Sequence, residues 1–375
     1  MGNEADLFDF SSLAAGPFKF SGLLPHRGNV WDNICREFSN TIVNCDAKGR
    51  RMRLFLAVLC VAFGLSTVST AQSDEARASG KLVTPDGLQK DVRFWERIFS
   101  EYSPDECVFH DEWNLDVIYY VAPVPRVSGS KPNAKLKRHI KDIKSALANL
   151  EVRGEPRGEF ERGIYQAIPE KLRNREFFSE AQDQIRCQRG VEFQKSLVRS
   201  RPYIPMIKRT LRDKGLPEDL AYLPHLESGF DRFATSKAGA KGLWQFMPRT
   251  ARAEGLRVHR RNDWRTDPNL STDAATDHLA GIFLKTRSWD LAITAYNYGQ
   301  NGVLRAIQKF GGDYMKIRTE HKTKIFGFAA RNYYPSFLAV RNVAMREEIK
   351  IANATRDGQI MAVGDEANAA GSVTF

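Results

Sequence analysis

The sequence predicts a mainly α-helical protein. Three observations carry this: apolar residues recur at spacings of three and four through most of the chain, one short run alone reads as extended, and Gly, Pro and Ser clusters cut the periodic stretches into helix-sized pieces. With 375 residues, 42% hydrophobic and 27% charged, the chain can bury a real core and has room for about two domains of usual size.

Residues 50–72 read RRMRLFLAVLCVAFGLSTVSTAQ, with Arg50, Arg51 and Arg53 ahead of an apolar run from Leu54 to Leu65 and a small-residue stretch ending at Ala71. That order is the order of a secretory signal peptide. The run is shorter than the ~20 residues of a comfortable membrane span. The expectation is a signal peptide over 52–71 cleaved after Ala71, with a signal anchor as the alternative. Signal peptides begin chains, so Met52 is expected to be the true start and residues 1–51 a leader from a misassigned start codon. The chain is therefore expected in the periplasm or cell envelope.

Of the five cysteines, Cys35 and Cys45 lie in the leader and Cys60 in the apolar run. Leu59, a large residue, precedes Cys60, which favours a free chain over a lipoprotein. Cys107 and Cys187 remain, either as one disulfide in an oxidising compartment or as two free thiols. No C-x-x-C or similar spacing is present, so no metal and no cofactor is expected.

A polar linker follows over 72–90. Val92, Trp95, Ile98, Phe99 and Tyr102 then repeat at helical spacing, and the single extended run LDVIYYVAPVP carries Pro123 and Pro125, which confine it to an edge or loop. From Lys135 to Lys214 charged amphipathic helices are broken at SGSKP, RGEPRGEF and RSRPYIP. The region 91–200 reads as a helical scaffold without obvious chemistry.

Chemistry concentrates in the next segment, 201–348. Pro217 suits the first position of a helix, and Glu218 and Asp219 suit its positive end. An apolar stripe runs Leu216, Leu220, Leu223, and Glu227 is its next member where Ser228-Gly229 ends the helix. Burial there disfavours the ionised carboxylate, as a general acid near neutral pH requires. On spacing alone, an ion pair with an arginine or a helix cap is the other reading.

Further on, ATSKAGAKGLWQFMPRTA holds a tight Ser236–Gly242 connection before Pro248 opens a helix. Leu270-Ser271 reads as the start of a helix with core residues Ala275, Leu279 and Ile282. The helix holding Leu291, Ile293 and Tyr296 stops near Gly299, and Gly302 precedes another. Residues 349–375 read as a tail.

The blocks LPHLESGF, SKAGAKGLWQFMP, RTDPNLSTDAATDHLAGIFL, AITAYNYGQNGVLRAI and RNYYPSFLAV stand in order over about 120 residues. Together they resemble the lytic transglycosylase (SLT) domain of the lysozyme-like superfamily, most closely its membrane-bound type D branch, though without that branch's wall-binding (LysM) repeats. The resemblance implies a goose-lysozyme-like helical fold preceded by the helical N-terminal region. It implies cleavage of the bond between N-acetylmuramic acid and N-acetylglucosamine, leaving a 1,6-anhydromuramyl end.

By the same resemblance Glu227 is the single catalytic acid and base. Ser236 orients the 2-acetamido group, and Gln245, Met247, Tyr296, Asn297 and Tyr333 line the cleft. Gly239, Gly242, Met247 and Tyr296 also have purely structural readings, as close-packing or core residues. Common glycosidases need two carboxylates. Asp231 is the nearest second acid in sequence, at a site that is often Asn in the family.

The net charge of +11 favours a polyanionic partner. Acids interleaved with the basic residues and the absence of a nucleic-acid motif argue against nucleic acid. Glycan strands of peptidoglycan are the expected partner, with peripheral membrane association left open. A lysozyme-type muramidase and a non-catalytic wall-binding protein are the alternatives.

Overall fold

The computed structural model describes residues 82–124, 134–323 and 325–356, all within one of the chain's two compact units. The leader, the signal peptide of 52–71, the first part of the linker, SGSKP and the end of the tail lie outside the described residues.

The expected periodic helix is α1, Gln89–Ser100, with Val92, Phe94, Trp95, Ile98 and Phe99 buried. Leu88, at the end of the expected linker, is fully buried, so the folded core begins before the helix does. Strands β1 (Glu106–Asp111) and β2 (Ile118–Pro123) follow, then helices α2 (Ala134–Arg153), α3 (Gly158–Ala167) and α4 (Arg175–Ala181), and strand β3 (Ile185–Arg189). The sheet order is β2-β1-β3, antiparallel throughout.

β2 is the extended run read from the sequence, and it takes the edge position that its prolines allow. β1 and β3 were not read. β1 is covered on both faces: Val108 belongs to the core built by α1, and Cys107 and Phe109 belong to a second core with α2, α3 and α4. A strand buried on both faces has no apolar–polar alternation to find. Cys107 and Cys187 are disulfide-bonded, their Cα atoms 5.5 Å apart on the adjacent strands β1 and β3. Of the two open readings of these cysteines, the bonded one is correct.

Helices α5 (Phe193–Ser200) and α6 (Ile204–Asp213) lead to the segment after Gly215. That segment is not one continuous helix. A 3-10 turn over Glu218–Tyr222 is followed by the short helix α7, Leu223–Glu227. Pro224, at the start of α7, has no N–H for the carbonyl four residues back, so the helical ladder breaks there.

Helix α8 (Pro248–Ala253) opens at Pro248 as expected, and a small hairpin of β4 (Val258–His259) and β5 (Asn262–Asp263) comes next. Helix α9 spans Pro268–Thr286. Its N-cap is Asp267, whose carboxylate accepts the N–H groups of Asn269 and Leu270, not Ser271, which lies buried inside the first turn. The expected core face of Ala275, Leu279 and Ile282 is fully buried.

Helix α10, Trp289–Tyr298, stops at Gly299. Helix α11, Gln300–Phe310, starts before Gly302 and not after it. Gly302 stands where the Tyr298 ring leaves no room, since an added Cβ would meet its Cε1 at 2.3 Å. Helices α12 (Tyr314–Glu320) and α13 (Phe328–Arg356) complete the chain, and α13 carries the helix on through the first residues of the expected tail.

α13 packs along α1 and touches α7 and α10, so the N-terminal helix closes the same core as the C-terminal one. Pro335 inside α13 leaves the Arg331 carbonyl without its helical donor. The Arg318 guanidinium on α12 takes that place, donating through Nε to Arg331 O at 3.0 Å while pairing with Asp91 of α1 at 2.7 Å. One half-buried arginine thus ties three helices together.

Candidate active site

Glu227 ends α7, and the turn after it is left-handed at Gly229 (φ 56°) and at Phe230 (φ 58°). A non-glycine residue in that region costs about 1–2 kcal/mol. Packing offsets it: Phe230 is buried against Tyr203 and His225. His225 and Ser196 form a buried pair, Ser196 Oγ and His225 Nδ1 lying 2.6 Å apart. Burial pushes the imidazole down to about 3, so it is a neutral packing group and takes no proton near pH 7.

Glu227 retains partial solvent access, while the protein packed around it strips most of its hydration. Burial raises its carboxyl to about 7, against a smaller opposite pull from the Tyr333 hydroxyl, which donates a hydrogen bond to Oε1. Neither an arginine nor a lysine among the described residues pairs with it, so the ion-pair reading falls away. No neighbouring carboxylate contributes to its shift either. Asp231 turns inward on its own loop, where Oδ1 accepts the Phe233 N–H at 2.9 Å.

Tyr296 is the third member of the group. The charge of Glu227 pushes up both tyrosine hydroxyls, after burial, and Tyr296 adds to the shift of Tyr333. The Tyr296 hydroxyl donates to Trp244 O at 2.8 Å, and its ring stands edge-on to His278. Helices α7, α10 and α13 thus bring Glu227, Tyr296 and Tyr333 together.

Ser236, Gln245 and Met247 sit on the loop between α7 and α8. The Ser236 hydroxyl accepts the Ala240 N–H at 2.9 Å, and Gln245 Nε2 donates to Gly242 O at 2.9 Å and Ala234 O at 3.2 Å. Their bonds hold the loop; none goes to Glu227. Gln245 is itself left-handed (φ 47°), held there by these bonds. Met247 is half-buried at the start of α8. Asn297 is half-buried on α10, with its amide unpaired among the described residues.

Three supports were not read from the sequence. Ser228 Oγ donates to Leu243 O at 2.9 Å, joining the end of α7 to the loop that follows. Trp244 is fully buried and donates to Thr272 Oγ1 at 3.0 Å. Arg265 is buried, paired with Asp263 at 2.8 Å, and donates through Nη1 to Gly239 O and Phe246 O at 2.8 and 2.9 Å. The Arg-Thr-Asp-Pro stretch was visible, but nothing in it shows an arginine turned inward. Gly242 confirms its close-packing reading: at φ 84°, an added Cβ would stand 1.8 Å from Arg265 O.

Residues 205–316 match the family described as Transglycosylase SLT domain. Over that span the chain is similar to a transglycosylase SLT domain. Its fold is mainly helical and lysozyme-like. Among curated proteins, the chain is 32% identical over 178 residues to membrane-bound lytic murein transglycosylase D of Escherichia coli (strain K12), covering 46% of this chain and 36% of that protein. It is 32% identical over 122 residues to membrane-bound lytic murein transglycosylase C of Actinobacillus succinogenes, covering 29% of this chain and 34% of that one. A third match is peptidoglycan transglycosylase gp16 of Escherichia phage T7, 36% identical over 130 residues, covering 33% of this chain and 9% of that protein. The chain thus spans about a third of the length of the bacterial relatives it matches.

The SLT match begins in α6 and ends in α12. It includes Glu227 and Tyr296 but stops short of Tyr333, which α13 supplies from beyond it. A carboxyl raised to about 7 that solvent can reach gives up a proton and takes one back close to neutral pH.

Proposed function

We propose that the chain is an exported peptidoglycan lytic transglycosylase. It cleaves the β-1,4 bond between N-acetylmuramic acid and N-acetylglucosamine, with Glu227 as its one acid and base. The observation that carries this is a carboxyl raised to about 7, bonded to Tyr333, with no second carboxylate acting on it.

In the first step the Glu227 proton passes to the glycosidic oxygen, the bond from muramyl C1 to that oxygen breaks, and the N-acetylglucosamine end leaves as an alcohol. The substrate's 2-acetamido oxygen closes on C1 in place of a protein nucleophile. The muramyl 6-hydroxyl oxygen then attacks C1 and displaces the acetamido oxygen. The Glu227 carboxylate takes the hydroxyl proton and is restored. No water is consumed, and the product is the 1,6-anhydromuramyl end.

A second carboxylate is what hydrolysis by the common two-acid route would need. Among the described residues no carboxylate acts on Glu227 itself, and Glu254, which acts on Tyr296, is paired with His278 at 2.8 Å; this supports the lyase over the muramidase. In this reading Ser236 orients the acetamido group, Gln245, Met247 and Asn297 line the cleft, and Tyr296 and Tyr333 position the acid. The two bacterial relatives are named as membrane-bound murein transglycosylases, and the phage relative as a peptidoglycan transglycosylase, which supports glycan strands as the substrate.

The Cys107–Cys187 disulfide supports an oxidising compartment such as the periplasm. No helix among the described residues is long and apolar enough to cross a membrane. Any membrane association would then be peripheral or use residues outside the described ones.

Mass spectrometry of digested peptidoglycan tests the proposal. Muropeptides one water lighter than reducing-end products are expected, and none from Glu227→Gln. Reducing ends would establish the muramidase instead, and wall clearing by Glu227→Gln would remove Glu227 from the chemistry.

A further inference from the structure

A cavity of about 380 Å³ opens between the β1–β2 turn, the end of α12 and the start of α13, with Glu112, Trp113, Lys322, Thr323, Phe326 and Arg331 in its wall. The hydrogen bonds around Glu227 do not include these residues. It nonetheless adjoins the helices that carry the candidate site. Thr323 Oγ1 lies 3.3 Å from the Tyr298 hydroxyl, two residues past Tyr296, and the Tyr298 ring packs on Phe326. Gly327, in the wall, precedes Tyr333 by six residues, about 9 Å of helix rise.

The charges in the wall do not balance. Glu112 is the acid there, and two arginines already neutralise it: Arg331 at 2.6 Å and Arg186 at 2.8 Å. Arg318 is matched by Asp91. Lys322 is left over. It is exposed, has no carboxylate partner among the described residues, and holds its ammonium 5.8 Å from the centroid of the Trp113 ring. Arg331 lies over the same ring at 3.5 Å, so the indole is a shelf that two cations approach. His321 Nε2 is buried in the wall without a hydrogen-bond partner. Lys309 and Arg305 act on that imidazole with burial to lower its pKa, so the positive field extends past the cavity rim.

A cavity with surplus positive charge, an unpartnered imidazole nitrogen and an indole shelf takes a carboxylate joined to a short polar chain. We propose that it is a subsite for the carboxylate-bearing peptide branches of the glycan strand, so that the protein prefers peptide-bearing strands over bare ones. The proposal rests on the reading of the chain as a peptidoglycan-cleaving enzyme. Arg331 in the wall and Tyr333, bonded to Glu227, stand two residues apart on α13.

The test compares intact glycan strands with strands stripped of peptide by an amidase. For the full-length protein, KM is expected to be about three- to fivefold lower on the intact polymer, the scale of one solvent-facing charged contact. Lys322→Glu should abolish that difference and leave kcat and KM on stripped strands unchanged, and Lys322→Arg should keep it. Equal handling of both polymers by the unaltered protein, or a difference that survives Lys322→Glu, overturns the proposal. If neither polymer is cleaved, the enzymatic reading fails, and the cavity is judged separately. Titration of Glu227→Gln with the tripeptide alanyl-glutamyl-diaminopimelate should shift the Trp113 indole N–H resonance. No shift there overturns the subsite by itself.

Discussion

The Tyr333 hydroxyl donates a hydrogen bond to Oε1 of Glu227 across 106 residues of sequence, and this bond alone opposes the burial that raises the carboxyl. Burial favours the neutral acid, and the hydroxyl favours the carboxylate. The balance falls at about 7, where both forms are populated.

Tyr333→Phe removes the force that favours ionisation, so the Glu227 carboxyl rises above about 7. If the protonated form starts the reaction, the activity of the unaltered protein falls as pH rises through about 7. The variant's alkaline limb should lie at higher pH. Its kcat should fall about tenfold, because the carboxyl loses the contact that aims it. A kcat–pH profile with an unmoved alkaline limb would refute the role assigned to the hydroxyl.

Glu227→Gln should stabilise the fold in alkali and not in acid. The folded-state carboxyl titrates near 7 and the free one near 4.5, so the folded state prefers the proton. Below pH 4.5 both states are protonated and nothing is lost. The penalty grows from there and is complete above 7. An amide never ionises, so the gain should be about 2–3 kcal/mol at pH 8 and near zero at pH 4, allowing for the carboxyl's partial solvent contact. Urea unfolding at the two pH values measures it.

Gly242→Ala and Gly239→Ala form a matched pair. Both glycines have positive φ, 84° and 88°, but a Cβ at 242 would meet Arg265 O at 1.8 Å and one at 239 would meet nothing within 4 Å. The first substitution should cost about 3 kcal/mol or more, by displacing Arg265 from the loop, and the second about 1 kcal/mol. Equal losses in thermal unfolding would show that the collision is relieved elsewhere.

Opening the Cys107–Cys187 bond should cost about 2–4 kcal/mol, since it closes a loop with a sequence separation of 80. Cys107→Ser with Cys187→Ser should lower the Tm, and a reducing agent should lower that of the unaltered protein alone. Peptide mapping without reductant should recover the two cysteines in one linked fragment.

The fold class, α1, α8, the core face of α9 and the edge strand β2 were legible because each depends on local spacing or on proline. Glu227 was marked by its place on an apolar stripe and by the motif blocks around it, although the continuous helix that the stripe assumed is broken at Pro224. Arg265, Ser228 and the His225–Ser196 pair were not, because polar residues turned inward look like surface residues until their partners are known. The N-cap of α9 was misread for a similar reason. Asp267 and Ser271 are both good caps by type, and backbone geometry selects the first.

By itself the sequence determined the helical class, the order of the motif blocks and the place of Glu227 on an apolar stripe, since side-chain periodicity and residue spacing are properties of the chain. Only the tertiary structure decided the protonation of that acid, the burial of β1 between two cores, the bonding of Cys107 to Cys187 and the cavity beside Trp113. Desolvation and hydrogen bonding depend on distances in space, and Tyr333 comes within reach of Glu227 only when α13 packs across α7.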